Sequence, residues 1–236
     1  MQPCPPVVEL RRYTLKPGRR DDLIALFERE FVETQEAAGM TLLGQFRDLD
    51  APDRFVWMRG FPDMERRREA LGAFYGGPVW KAHREAANDT MIDSDDVLLL
   101  RRVVLPPLYG EGQAASAARV GDRTASPPGP SGATLPMKGR ESVITATVLY
   151  LAEPADADLK AWFEAEVRPA GDVLGVFETE AAANTFPALP VREGEHAFVW
   201  LARGAGPERL PAWLERRLVR PPEVMRLAPT PRSRLR

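Results

Sequence analysis

The chain writes one strand pattern twice, and this internal repeat constrains its fold more than any other feature. The stretch FVWMRG at 55–60 returns as FVWLARG at 198–204. In both places a run with Leu-Gly-x-Phe precedes it, TLLGQF at 41–46 and DVLGVF at 172–177. Since 236 residues are enough for two domains of about 100 residues each, we expect two copies of one structural unit.

The segment between the two copies, residues 106–140, is rich in Pro, Gly, Ala and Ser. It carries almost no bulky apolar side chains, so it cannot bury enough surface to offset the entropy that is lost on ordering. We therefore expect a flexible linker at 106–140, an N-terminal unit at 1–105 and a C-terminal unit at 141–236.

The N-terminal unit is predicted to follow the order strand, helix, strand, strand, helix, strand. Residues 7–15, VVELRRYTL, are rich in β-branched and aromatic side chains, which is typical of a strand. The following apolar residues recur on one face of a helix. The remaining predicted elements are a cap at Asp21 or Asp22, a helix end at Gly39, a hairpin over 40–61, a helix from Asp63 that restarts at Pro78, and a strand over 96–104.

The C-terminal unit repeats the same order in a shorter form. Its main difference is a longer hairpin loop at 181–195, which contains two prolines. The predicted elements are a strand over 143–151, a helix over 156–167, hairpin strands over 172–180 and 196–204, a helix over 207–219 and a strand over 223–228.

A four-stranded sheet with helices on one face leaves its other face uncovered, and that face must be buried against something. We therefore expect an α+β fold in which two tandem ferredoxin-like (βαββαβ) units pack sheet to sheet as an intramolecular α+β barrel. Because the partner sheet is built into the chain, we expect a monomeric pseudo-dimer, with a further homo-oligomer as the alternative.

Two segments, ELRRYTLKPGRRDDLIALFE at 9–28 and FVWMRGFPDMERRREALGAFYGGPVWKAH at 55–83, resemble the NIPSNAP family of the dimeric α+β barrel superfamily. The resemblance covers about residues 7–104, and the C-terminal unit is similar only in its general fold. The wider superfamily, as the resemblance implies, includes cofactor-independent monooxygenases, isomerases, polyketide cyclases and haem-dependent enzymes. A reaction taken from the fold is therefore an analogy.

The first strand separates polar from apolar side chains by strict alternation. Glu9, Arg11 and Tyr13 lie on one face, and Val8 and Leu10 lie on the other. We expect the apolar pair to face the helices. The charged set is then predicted to point toward the barrel interior.

On the hairpin strand, Trp57 and Arg59 share a face, which we assign to the same interior. Burying Glu9 with two arginines is costly unless the charges pair or bind a ligand. One interpretation is a polar pocket in an aromatic wall, where Arg11 or Arg59 holds a carboxylate or enolate and Tyr13 donates a hydrogen bond. The other is a structural Glu9–Arg11–Arg59 network, or simple exposure at the barrel rim.

The repeat provides an internal comparison for these polar residues. With the tyrosines of the two first strands aligned, Ala146 falls opposite Glu9 and Val148 falls opposite Arg11. A residue that only holds the fold should be present in both copies. We therefore predict one pocket, in the N-terminal unit, with the C-terminal unit acting mainly as a lid.

The second predicted helix of the N-terminal unit carries further candidates. His83 shares a helical stripe with Trp80 and could act as a general base near neutral pH, although a boundary histidine is the simpler interpretation. Tyr75, beside a Gly-Gly pair, lies either at a pocket mouth or at a core boundary. The run Arg66–Arg68 is predicted to lie on a solvated helix face.

Several classes of protein are not indicated. The net charge of −2 is spread evenly, so no basic stripe points to a nucleic acid or an anionic membrane. The lone cysteine, Cys4, the lack of a long apolar run and the lack of a signal peptide predict a cytoplasmic protein. Without a P-loop, a dinucleotide-binding glycine motif or multi-His spacing, no cofactor or metal is expected; a haem on His83 is the alternative.

The sequence thus predicts a small-molecule enzyme of the α+β barrel type. It would be a cofactor-independent isomerase, cyclase or monooxygenase, acting on an aromatic or polyketide-like carbonyl compound between the sheet and the helices of the N-terminal unit. The predicted catalytic residues are His83, Glu9 and Tyr13, and the predicted substrate-binding residues are Arg11, Trp57, Arg59, Tyr75 and Trp80. The alternative is a non-catalytic, NIPSNAP-type ligand-binding or protein-interaction scaffold.

Overall fold

The computed structural model of the chain describes residues 5–104, 143–204, 207 and 209–236. The predicted linker and Cys4 lie outside these residues. A π-helical turn, Phe27–Phe31, joins the first two helices. The elements of the N-terminal unit are β1 (Val7–Leu15), α1 (Arg20–Leu26), α2 (Val32–Ala37), β2 (Thr41–Asp48), β3 (Arg54–Phe61), α3 (Met64–Gly76), α4 (Pro78–Asn88), β4 (Met91–Asp93) and β5 (Val97–Arg102).

The C-terminal unit has the same order with shorter helices. A second π-helical turn, Phe163–Val167, follows its first helix. The elements are β6 (Ile144–Leu151), α5 (Ala157–Trp162), β7 (Asp172–Thr179), β8 (His196–Arg203), α6 (Ala212–Glu215) and β9 (Glu223–Pro229). The helix predicted over 207–219 is wrong in extent, because Pro211 has an extended ψ of 145° and excludes the preceding residues from the helix.

The predicted helix ends are only partly right. Asp63 caps α3, since its side chain accepts a hydrogen bond from the Arg66 backbone N–H at 2.7 Å. Gly39 follows α2 with a φ of +96°, a conformation that favours glycine. Neither Asp21 nor Asp22 caps α1: both lie in its first turn, where a carboxylate interacts favourably with the helix dipole.

The two sheets join along both edges and close into an α+β barrel. The strand order is β3-β2-β9-β6-β8-β7-β5-β1-β4, and β1 also pairs with β3. Since β4 pairs only with the end of β1, the other eight strands form a closed ring. The two seams are the antiparallel pairs β2–β9 and β5–β7. The predicted intramolecular barrel is confirmed, with continuous backbone hydrogen bonding between its halves.

The strand faces are the reverse of the prediction. Val8 and Leu10 belong to the core inside the barrel, together with C-terminal side chains such as Val148 and Val199. Tyr13 belongs instead to the core between the N-terminal sheet and its helices. By alternation Glu9, Arg11 and Tyr13 therefore lie under the helices, outside the barrel. The prediction was wrong because both faces of this sheet are buried, so burial alone does not choose between them.

The repeated Leu-Gly-x-Phe motif forms a β-bulge in each unit. The register of β2 shifts between Leu42 and Gly44, and that of β7 shifts between Val173 and Gly175. The phenylalanine two residues later folds its ring over the glycine: a Cβ on Gly175 would lie 2.8 Å from the Phe177 ring. Glycine is thus required because the aromatic ring occupies the space of a side chain.

Among the described residues, no helix combines the length and the apolar character needed to cross a lipid bilayer.

Gly44→Ala is expected to destabilise the barrel by about 1–3 kcal/mol, because the new methyl group would overlap the buried Phe46 ring. Gly72→Ala is the matched control: its Cβ meets nothing within 4 Å in α3, so helix propensity should stabilise it by about 0.5–1 kcal/mol. Urea unfolding of both variants measures the difference. Equal midpoints for Gly44→Ala and the parent chain would contradict the ring-over-glycine packing.

We propose that the chain is a monomer in solution, because its own C-terminal unit closes the barrel. Sedimentation equilibrium should return the mass of one chain at micromolar concentration. An obligate dimer with no detectable monomer would overturn this proposal.

Candidate functional site

Three arginines surround one glutamate between the N-terminal sheet and α3. Glu9 Oε2 accepts hydrogen bonds from Arg11 Nη1 at 2.8 Å and from Arg59 Nε at 2.7 Å. Its other oxygen, Oε1, accepts from Arg67 Nε at 2.7 Å. Each of these four side chains is 2% exposed or less. We call these four residues the arginine cluster.

Arg67 is the member of the cluster that the sequence analysis missed. Arg66 and Arg68 do lie on the solvated face of α3, but Arg67 is fully buried, which corrects the prediction for Arg66–Arg68. A signal was present: Leu71 and Phe74, four and seven residues later, are buried on the same helical stripe. The helical periodicity that buries Leu71 and Phe74 therefore also places Arg67 on the buried face of α3.

Glu9 is ionised in this environment. Burial alone would raise its pKa, but Arg59, Arg11 and Arg67 outweigh that effect and hold the pKa far below its usual range. A carboxylate that three guanidinium groups bind in this way is a poor proton acceptor near neutral pH. Glu9 is therefore suited to positioning the arginines, which differs from its predicted role as a base.

Tyr13 connects the arginine cluster to a set of aromatic rings. Its hydroxyl oxygen accepts a hydrogen bond from Arg11 Nε at 3.0 Å, so the hydroxyl proton is available for another partner. Burial raises the pKa of Tyr13, although Arg11 opposes the shift, and the side chain stays a phenol. Its ring contacts Trp57 edge to face, with centroids 5.7 Å apart.

A small pocket opens beside these residues, between the sheet and the helices. Its volume is about 30 Å³, enough for about one or two water molecules. Four predicted site residues are brought together in its wall: Tyr13, Trp57, Tyr75 and Trp80. The wall also contains the Gln35 amide, whose Oε1 accepts from Arg59 Nη1 at 2.9 Å. Among the described residues, the wall includes neither a carboxylate nor an imidazole.

His83 does not line this pocket. It lies on α4 with its side chain 33% exposed, and its Nε2 is 3.5 Å from Glu30 Oε2. The geometry of the described residues does not favour the alternative of a haem on His83, since this imidazole faces Glu30 and does not line the pocket. The structure thus places the predicted base outside the group of residues that it brings together.

The long loop of the C-terminal unit covers the site. Asn184 Oδ1 accepts a hydrogen bond from Arg67 Nη1 at 2.9 Å, and the Thr185 hydroxyl donates to the Met64 carbonyl at 2.9 Å. The Phe186 ring stacks on Tyr75 with centroids 6.2 Å apart. The site is therefore built by both units, and the unusual length of the 181–195 loop was the signal for it.

The register corrects the alignment of the two copies by one residue. Trp57 pairs with Arg11, and Trp200, the same position in the second copy, pairs with Thr147. Thr147 is thus the counterpart of Arg11, and the same register places a threonine opposite Glu9. The charged groups still have no counterpart in the C-terminal unit.

The residues first placed opposite Glu9 and Arg11, namely Ala146 and Val148, lie inside the barrel. The counterpart of Arg59 is Ala202, because it pairs with Thr145 as Arg59 pairs with Glu9. The arginine cluster belongs to one copy only.

Replacing Glu9 by glutamine should destabilise the fold by about 3–5 kcal/mol, since three buried guanidinium groups lose their counter-ion. Its depressed pKa means that Glu9 contributes stability above the unfolded-state pKa of about 4.3, and this is lost as pH falls below it. The gap between parent and Glu9→Gln should be constant from pH 6 to 8 and narrow in acid, measured by urea unfolding.

The control is Glu69→Gln, which removes a carboxylate from the exposed pair with Arg66 and should cost less than about 0.5 kcal/mol. Equal losses for the two variants would contradict the assignment of Glu9 as the central counter-ion.

Comparison with known proteins gives a family match within the N-terminal unit. Residues 8–106 match the NIPSNAP family model. A NIPSNAP family protein from Agrobacterium tumefaciens is 21% identical, with a TM-score of 0.41 over 46% of this chain and 95% of its own. No curated protein matches the chain.

Two solved structures extend over almost the whole chain. A putative monooxygenase from Fusobacterium nucleatum is 8% identical, with a TM-score of 0.54 over 97% of this chain and 94% of its own. One from Lactobacillus acidophilus is 13% identical, with a TM-score of 0.50 over 95% and 94%. At such identities the likeness concerns the fold alone. Residues 8–106 are thus similar to a NIPSNAP domain, and they lie within an α+β barrel that one polypeptide closes.

Proposed function

We propose that the chain is a small-molecule enzyme that binds a carbonyl compound in the pocket of the N-terminal unit and stabilises its anionic, enolate-like form. One observation carries the proposal: Tyr13, whose hydroxyl is held by Arg11 Nε at 3.0 Å, lines the pocket beside a cluster of three guanidinium groups and one carboxylate.

The chemistry of this arrangement is that of an oxyanion site. A carbonyl oxygen placed against the Tyr13 hydroxyl would accept its hydrogen bond, and Arg11 would polarise that bond from behind. Donors that are fixed in a dry site stabilise developing negative charge more strongly than water does, since they need no reorganisation. Trp57, Tyr75 and Trp80 supply flat apolar surfaces for a ring or a conjugated chain.

The pocket wall favours acidic substrates. Because its described residues include neither carboxylate nor imidazole, the proton of the substrate must pass to water or to a group on the substrate itself. A carbonyl compound with an acidic C–H or phenolic O–H meets this requirement. Isomerisation, cyclisation and oxygenation can each proceed from such an anion, and the fold of the two full-length neighbours does not choose among them.

A substrate larger than water requires the pocket to widen. The cover consists of Phe186 on Tyr75 and of the hydrogen bonds from the 184–185 segment to α3. Leu189 and Val191 of the same loop also pack on the N-terminal core, and we propose that entry takes place by local displacement within the 181–195 loop.

The second candidate is a non-catalytic ligand-binding scaffold. It is favoured by the wall that lacks a base and by the engagement of Glu9 with three arginines. In that case the arginine cluster would retain a ligand without turnover.

The test begins with native mass spectrometry of the full chain purified from its own host, to capture a retained organic compound. Purified protein is then incubated with that compound, and with a panel of aromatic and polyketide-like carbonyl compounds, while products and oxygen uptake are followed. Tyr13→Phe should lower kcat by about 10²–10³-fold, because one oxyanion donor is lost. Product formation by the parent chain is the expected result.

The repeat offers a test variant and its matched control. Trp57→Phe and Trp200→Phe alter the same position of the two copies, and both indoles are buried against a phenylalanine of the π-helical turn. Trp57→Phe should weaken substrate binding, whereas Trp200→Phe should change stability only. Retention of a ligand without any product would reject the enzyme in favour of the scaffold.

A further inference from the structure

The arginine cluster carries more positive charge than the described protein neutralises. Arg11, Arg59 and Arg67 contribute three positive charges, and Glu9 contributes one negative charge. All four side chains are 2% exposed or less, so solvent screens these charges weakly. Two buried positive charges are left over, and a buried charge without a counter-ion is costly.

The neighbouring polar groups do not supply the missing negative charge. Tyr13 stays protonated, because burial raises its pKa. Gln35 and Asn184, which accept hydrogen bonds from Arg59 and Arg67, are neutral amides. The pKa of Arg67 is lowered chiefly by burial, to which the repulsion of Arg59 and Arg11 adds, whereas the pKa of Arg11 is raised.

Three buried donors in this region have no hydrogen-bond acceptor among the described residues: Arg59 Nη2, Trp57 Nε1 and Arg67 Nη2, of which the last lies 2.7 Å from Glu9 Oε1 as an ion pair. Arg59 lies directly behind the pocket, since its Nη1 donates to Gln35 Oε1 at 2.9 Å and lies 3.5 Å from Tyr75 Oη, both on residues of the pocket wall. Its guanidinium carbon is 5.0 Å from the centroid of the Trp57 ring. Of these donors, those of Arg59 and Trp57 thus belong to neighbouring side chains, of which Trp57 lines the pocket and Arg59 lies behind it.

We infer that the ligand of this pocket is an organic carboxylate: its anionic head binds the free donors of Arg59 and Trp57, and its body lies against the aromatic wall. A carboxylate provides two acceptor oxygens and a full negative charge, which match a guanidinium group and an indole N–H. The head alone fits a space of about 30 Å³, and the body needs the opening of the 181–195 loop. This inference rests on the proposed function, to which it adds the acidic group of the substrate.

The experiment that tests this inference compares the binding of a carboxylate and of its neutral isostere to the full chain. Benzoate and benzamide are titrated by isothermal calorimetry, at constant ionic strength, with tryptophan fluorescence as a second readout. Benzoate should bind at least about 10-fold more tightly than benzamide, because only the anion neutralises the cluster. Comparable affinities, or binding of neither compound, would overturn the inference.

Substitutions test which residues bind the anionic head group of the ligand. Arg59→Met should abolish the preference for benzoate, and Arg66→Met, on the exposed side of α3, should preserve it. Should Arg59→Met not fold, Trp57→Phe removes the second donor and should reduce the preference. A preference that persists in every folded variant at positions 59 and 57 would place the anion elsewhere and overturn the inference.

The inference and the proposed function fail in different ways. Equal binding of benzoate and benzamide leaves a pocket without anion selectivity, and turnover of a neutral carbonyl compound would then still support the enzyme. Selective binding of benzoate with no turnover of any carbonyl compound would support the carboxylate site and reject the enzyme.

Discussion

The fold depends on two seams of backbone hydrogen bonds, β2 with β9 and β5 with β7. They join the sheets of the two units into one ring, so neither sheet has an inner edge to protect. Closure buries one face of every strand inside the barrel, where Val8, Leu10 and their C-terminal counterparts fill the space. The other face of the N-terminal sheet lies under α1 to α4. Glu9, Arg11 and Tyr13 of β1 therefore lie between sheet and helices, where α3 contributes Arg67.

This constraint explains which parts of the structure could be predicted from the sequence. Hydrophobic periodicity and turn residues locate the main strands and some helix ends, because those signals are local. Alternation separates Glu9, Arg11 and Tyr13 from Val8 and Leu10, but it does not state which set faces the barrel. That choice depends on the partner of each face, which is a property of the closed ring.

Other features depend on distant contacts. The hydrogen bond between Arg67 and Asn184 joins residues 117 positions apart, and no local sequence pattern predicts that the C-terminal loop crosses onto α3. For His83, the sequence pattern predicted a site residue that the structure does not place in the pocket wall. His83 does share a helical stripe with Trp80. Because a helix turns through about 100° per residue, residues three positions apart do not point in the same direction, so their side chains can be buried to different depths. Trp80 reaches the pocket, whereas His83 meets Glu30 at the surface.

The repeat separates what the fold needs from what the site needs. Both copies keep the π-helical turn, the bulge at Leu-Gly-x-Phe and the tryptophan that packs on a phenylalanine of the turn, with centroids 4.8 Å apart in one copy and 5.6 Å in the other. π-helical turns often mark functional sites. Here the turn is present in both units, so we assign it to the fold and not to the site.

What differs is the charge. Where the C-terminal unit has threonines and an alanine, the N-terminal unit has Glu9, Arg11 and Arg59. The C-terminal unit is neutral at these three positions, so a unit of this barrel forms without charged residues there, and buried ion networks are weak contributors to stability when apolar or neutral residues can take their place. The two uncompensated positive charges are buried in the N-terminal unit only, so the fold itself does not require them. Binding an anion that completes the arginine cluster is the simplest function that would account for them.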